Sequence, residues 1–131
     1  MKAYTSIEQS KKLAEILPQK TADNTYERVV IAGCNLDIPE ERQFVHRDIP
    51  FMFFSGVGVP CWSLAALLEQ IPSDLGSETL TIEKCDSEPF KYGLNYHDRW
   101  GREDDIQTKY YDDLVDACYE MVLKLHKQKL L

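Results

Sequence analysis

No apolar run in this chain is long enough to cross a bilayer: the longest cluster, Phe51-Met52-Phe53-Phe54, falls far short of the roughly 20 residues a spanning helix needs. Basic charge is also scarce. The 15 Lys and Arg residues are outnumbered by 22 Asp and Glu, leaving a formal charge of -7. Proteins that hold DNA, RNA or anionic lipid gain affinity by neutralising phosphate, so direct nucleic-acid and membrane binding are disfavoured. The 4 cysteines and 3 histidines show no Cys-x-x-Cys, His-x-x-x-His or Cys-x-x-His spacing, so neither a metal nor another cofactor is expected. Met1-Lys2-Ala3-Tyr4 leads straight into polar sequence, without an apolar h-region or a small-residue cleavage site. With no export signal, the cysteines at 34, 61, 85 and 118 read as reduced thiols, and the expected location is the cytoplasm.

What is present describes a globular protein. The chain has 131 residues, 44% of them hydrophobic and 28% charged, enough to bury a core without disulfides or metal. One domain over 1–131 is expected. Thr5-Ser6-Ile7-Glu8-Gln9 holds two overlapping capping boxes, Thr5 with Glu8 and Ser6 with Gln9, ahead of Ile7, Leu13, Ala14 and Leu17 on one helical face. Pro18 ends that helix. The β-branched run Val29-Val30-Ile31 marks a strand over 26–32, and Phe51 to Phe54 marks a shorter one. Residues 35 to 48 show no period and read as a long connection, and Gly56 to Pro60 as a turn. Ser63 opens a second helix with Leu64, Leu67, Leu68 and Ile71 at i, i+3, i+4, i+7 spacing, stopped by Pro72.

Residues 78–85 and 90–97 alternate, with Leu80, Ile82, Phe90, Tyr92, Leu94 and Tyr96 on the expected buried face, and read as a hairpin closed by Asp86-Ser87-Glu88-Pro89. A last helix starts between Thr108 and Asp113 and buries Leu114, Cys118, Met121, Val122 and Leu125. Asp112, Asp113 and Asp116 near its start and Lys124, Lys127 and Lys129 near its end complement the helix dipole. The fold class is therefore α+β: a mainly antiparallel sheet packed with about three helices.

Several motifs resemble chemistry and fail on a neighbouring residue. His46-Arg47-Asp48 matches the start of a kinase catalytic loop, but the metal-binding Asn five residues on is Phe53. Gly56-Val57-Gly58 lacks the third glycine of a dinucleotide fingerprint, since Cys61 stands there, and Pro60 removes an amide donor. The acidic residues 103–105 and 112–116 lack the alternating ligand spacing and turn glycine of a calcium loop. Leu13 to Pro18 echoes Leu67 to Pro72, which two helices stopped by proline explain without a repeat.

Two clusters stay as candidates. Cys61, beside Trp62 at a helix start, is the thiol whose pKa a helix dipole would lower, with His46 or His97 as the base a nucleophile needs. His97-Asp98-Arg99-Trp100-Gly101-Arg102 places an aromatic ring among cations. The candidate binding residues are Trp62, His97, Arg99 and Trp100, with no catalytic set assigned.

Three phrases carry a family resemblance: Ser10 to Pro18, Pro60-Cys61-Trp62-Ser63-Leu64-Ala65-Ala66-Leu67-Leu68, and Val115-Asp116-Ala117-Cys118-Tyr119-Glu120-Met121. Together they resemble short proteins from prophages and mobile elements of gut anaerobes. The last two are also similar to the phage αβα-sandwich domain family. The resemblance implies a small sheet packed with helices and a mobile-element origin, and it implies no activity. The expected function is a nonenzymatic accessory protein that binds an unidentified protein partner. The alternatives are a small enzyme or ligand-binding protein using the Cys61, His97 and Trp100 region, and an acidic mimic of nucleic acid.

Overall fold

The computed structural model describes residues 2–27, 44–46, 58–86, 91–98 and 106–131. Within them the chain is α+β, with three α-helices and two small antiparallel sheets. It forms two compact units, one over Thr5–Ser63 and one over Met1–Tyr4 with Leu64–Leu131.

In the first unit, helix α1 (Ile7–Ala14) starts on the second of the two capping boxes. Ser6 Oγ accepts from Gln9 N at 3.2 Å, and Gln9 Oε1 accepts from Ser6 N at 2.9 Å. Thr5 is used otherwise. Its N–H donates to Trp62 O at 2.9 Å, its hydroxyl accepts from Trp62 N at 3.2 Å, and that hydroxyl also bonds the Ser10 hydroxyl at 2.8 Å. Ser10 can therefore be buried beside Ile7 and Leu13, whereas Ala14, expected on the inner face, is exposed.

A 3-10 turn (Gln19–Thr21) leads to strand β1 (Asn24–Glu27), the centre of a sheet with β2 (Phe44–His46) and β3 (Val59–Cys61) on its edges. Thr25 pairs with His46 on one side and Pro60 on the other. Pro60 has no N–H to give a ladder, so an edge strand suits it. Both edge strands are three residues long and lie where the sequence reads as a connection and a turn; such short pieces are too brief to show a period. The expected strands at 28–32 and 51–54 lie outside the described residues.

In the second unit, helix α2 (Leu64–Gln70) is followed by β4 (Asp74–Leu75), β5 (Glu78–Lys84), β6 (Tyr92–Asp98) and helix α3 (Leu114–Lys127). Leu75 pairs with Glu78 across Gly76-Ser77, and Gly76 takes φ 63°, the left-handed first position of a tight hairpin turn. The expected hairpin forms between β5 and β6, in register from Glu78↔Asp98 to Lys84↔Tyr92. Helix α3 is capped by Asp113, whose Oδ1 accepts from Val115 N at 2.9 Å, and it buries Val115, Ala117, Cys118, Met121, Val122 and Leu125. It packs against α2 and β6, where Leu94 and Tyr96 are fully buried.

The hairpin departs from the expected alternation at both strands. Ile82, expected inside, is 45% exposed. Among the described residues, its strand β5 has a neighbour on its outer side at Glu78 and Thr79, with a further bond from Leu80 N to Ser73 O, and none beside Ile82. In β6 the second face is covered too, because the segment 106–111 adds a further run of backbone along its free edge. Tyr96 N donates to Ile106 O, Thr108 N to Leu94 O, and Tyr92 and Tyr111 exchange both bonds, all at 2.7 to 3.0 Å. Two α3 side chains hold this segment from behind: Lys124 Nζ donates to Gln107 O at 2.5 Å, and Glu120 accepts from Lys109 N at 3.2 Å.

Candidate functional site

Pairing dictates which side chains share the second face of the β5–β6 ribbon. Thr79 lies opposite His97, Thr81 opposite Asn95, and Glu83 opposite Gly93. The bridge from Asn95 to Gln107 extends the middle row by one residue. Tyr110 completes the Glu83 row: its ring lies on Gly93, at 3.2 Å from where a Cβ would stand, and its hydroxyl donates to Glu83 Oε2. A Cβ at position 93 would press that ring back by a few tenths of an ångström, so the glycine lets the phenol lie close across the strand beside the carboxylate.

Glu83 is the centre of this face. Tyr110 donates to one carboxylate oxygen, and Asn95 Nδ2 donates to the other at 2.8 Å. These two bonds, Tyr110 first, hold the Glu83 carboxyl below its ordinary value, with a further contribution from His97. Donating that bond to the carboxylate in turn pushes the Tyr110 phenol up. The Asn95 amide is oriented by the carboxylate, because the reverse orientation would set two oxygens against each other. Its carbonyl oxygen is thereby turned away from Glu83. Asn95 is 8% exposed, and its Oδ1 is the one buried side-chain polar atom among the described residues that has no hydrogen-bond partner. Thr79, His97, Gln107 and Tyr110 are exposed around it.

The residues singled out from sequence fall in different places. His97 is exposed on this face, at the end of the ribbon opposite Thr79. Arg99 and Trp100 lie outside the described residues. Trp62 is fully buried in the first unit, and its indole N–H donates to Thr21 Oγ1 at 2.9 Å, so the ring serves the interior there.

Cys61 is fully buried beside it. Burial, reinforced by the charge of Asp23, pushes its thiol from an ordinary 9.0 up to about 12. The expectation of a lowered thiol pKa is therefore overturned, because desolvation and the charge of Asp23 both oppose the thiolate. Burial likewise pushes Cys118 up to about 12, in keeping with its place in the core of α3.

Asp23 itself is committed to structure. It accepts from Ser63 N at 2.9 Å and Ser63 Oγ at 2.5 Å. Burial opposes its charge, and the bonds from Ser63 outweigh that, so its carboxyl sits below its ordinary 3.8.

Glu83, Asn95, Gly93 and Tyr110 were not singled out by the sequence reading. The alternation placed Glu83, Gly93 and Asn95 on a wet face. The signal that could have found them was the glycine in mid-strand, which points to a close approach. The fold and site together define a small α+β protein whose sheet presents an organised polar face, built on a carboxylate, an amide and a phenol. No family model, no curated protein and no solved structure matches the chain.

Proposed function

We propose that this chain is a nonenzymatic accessory protein of mobile-element origin that acts by binding a protein partner through the second face of the β5–β6 ribbon. The observation that carries the reading is the organisation of that face. Glu83 is fixed by Tyr110 and Asn95, Gly93 is kept free of a side chain for the Tyr110 ring, and the surrounding Thr79, His97, Gln107 and Tyr110 are exposed. Interfaces favour Tyr anchors set among polar groups whose positions are fixed beforehand. The buried, unactivated Cys61 weighs against the nucleophile version of the alternative. The resemblance to short prophage proteins supplies the origin.

The test is site-specific photocrosslinking in lysate of the native host, with and without prophage induction. A photoreactive residue is placed at Thr79, on the face, or at Lys20, exposed in the first unit. A stoichiometric protein adduct from position 79 and none from position 20 is expected. An absence of adducts from position 79 in repeated experiments, or the same adduct from both positions, overturns the reading.

A further inference from the structure

From the unspent hydrogen-bonding capacity of the Glu83, Asn95 and Tyr110 cluster, we infer that this face holds the guanidinium of an arginine side chain on the partner protein. The inference rests on the protein-binding reading and names the group that is bound. Two of the cluster's donors are used internally: the Tyr110 hydroxyl goes to Glu83 Oε2 and one of the two Asn95 amide N–H groups to Glu83 Oε1. What is left over is mostly acceptor capacity, from the remaining lone pairs of Glu83 and the unpartnered Asn95 Oδ1. A buried amide oxygen without a donor is costly, and one in a folded protein calls for an explanation by the site it lines.

The ligand that fits must donate several hydrogen bonds and carry positive charge, since Glu83 is held ionised by its neighbours. Guanidinium meets both requirements with five N–H donors in a planar fork. The aromatic ring argues for a planar cation over ammonium. One side of the Tyr110 ring lies on Gly93, yet the residue remains 41% exposed, leaving a surface on which a guanidinium plane can stack. The formal charge of -7 favours approach of a basic segment. Asn95 Oδ1 is buried, so a guanidinium reaches it only after a local side-chain rearrangement on this face.

The experiment is a titration of the full chain with N-acetyl-arginine amide, followed by the amide and side-chain NH2 resonances in 15N–1H correlation spectra. N-acetyl-lysine amide and the neutral N-acetyl-citrulline amide serve as controls. Saturable shifts at the Asn95 side chain and at Glu83 and Tyr110, with millimolar affinity, are expected from the arginine probe. The lysine probe is expected to bind several-fold more weakly, and the citrulline probe to leave the spectrum unchanged. Glu83→Gln should weaken arginine binding about tenfold or more.

Equal response to citrulline, a preference for lysine, an unmoved Asn95 side chain, or a Glu83→Gln variant that titrates as the parent overturns the inference. The two failures are distinguishable. A protein adduct at Thr79 that forms undiminished with Glu83→Gln sinks the guanidinium assignment and leaves protein binding standing. Arginine-amide binding with no adduct does the reverse.

Discussion

Replacing Asp23 by Ala removes two hydrogen bonds that Ser63 makes to one carboxylate, from its N–H at 2.9 Å and its hydroxyl at 2.5 Å. The first is the kind of backbone donor that a helix start leaves without a partner, since α2 begins at the next residue, Leu64. A hydrogen bond to a charged acceptor contributes about 1.5–3 kcal/mol at most. Asp23 is only partly shielded from water, and screening there reduces the pair to about 1–2 kcal/mol in total, within the range of a lost helix cap.

The sign of the pH dependence follows from the carboxyl being held below 3.8 in the folded protein. The contribution is fully present above that unfolded value and is lost as pH falls through the lower folded one. Urea unfolding followed by far-UV circular dichroism is the assay, run at neutral pH and again in acid. The Asp23→Ala variant should unfold about 1–2 kcal/mol more easily at neutral pH, and the gap to the parent should close as the carboxyl protonates. Asp23→Asn keeps one acceptor for the Ser63 N–H and should lose about half as much, with no dependence on this titration. A cost below about 0.5 kcal/mol, the level of an ordinary surface substitution, would refute the reasoning. So would a gap that persists unchanged into acid.

Three further outcomes are expected. Native-state alkylation with iodoacetamide should label half-exposed Cys85 well before Cys61 or Cys118, because raising a thiol from 9.0 to about 12 cuts its thiolate fraction roughly a thousandfold; peptide mass spectrometry showing Cys61 modified as fast as Cys85 would contradict this. Lys129 closes α3 in the left-handed region, at φ 59°, with Leu130 N donating to Leu125 O. Lys129→Gly should therefore stabilise the protein by about 0.5–1 kcal/mol, the steric relief less the added chain entropy, and a lowered melting temperature would count against that account. Tyr110→Phe should let the Glu83 carboxyl titrate nearer its ordinary 4.5, because the largest influence lowering it is removed; an unchanged carboxyl 13C titration would show that the phenol does not reach Glu83 in solution.

What was legible in the sequence is what local chemistry determines. The Ser6 and Gln9 box, the apolar spacing of Leu67 and Ile71, the charge order of α3 and the alternation of 78–85 with 90–97 each act within one element, and each element formed, the two strands over 78–84 and 92–98. The departures arise where distant segments decide. Thr5 has a local partner in Glu8 and instead bonds Trp62, which its own helix cannot announce. Ile82 alternates correctly and is exposed, and among the described residues β4 does not extend to its row. Asn95 reads as a solvated strand residue, yet it is buried where residues 106–111 pair along β6, a run too short and mixed to show a period. The site inherits that blindness, for three of its parts come from β5, β6 and this third segment.

Gly93 shows how one residue's lack of a side chain organises chemistry on the neighbouring strand. In a central strand a glycine gives up packing and chain rigidity, a cost of roughly 0.5–1 kcal/mol relative to alanine. Here the space a Cβ would fill is taken by the Tyr110 ring, with Cδ1 and Cε1 at 3.2 Å from it. An aromatic ring laid over a strand glycine restores much of the lost contact. The same placement fixes the phenol oxygen over Glu83, opposite Gly93 in the register, and the carboxylate then orients the Asn95 amide one row away. Removing the ring would leave Glu83 with Asn95 alone; removing Asn95 would leave it with Tyr110 alone. In either case the carboxylate keeps a donor, so the face is tied together by partly independent bonds and not by a single contact. That redundancy spends two donors on Glu83 when one would satisfy its structural need. It makes sense if the geometry of the acceptors left over, Asn95 Oδ1 above all, is what the arrangement holds in place.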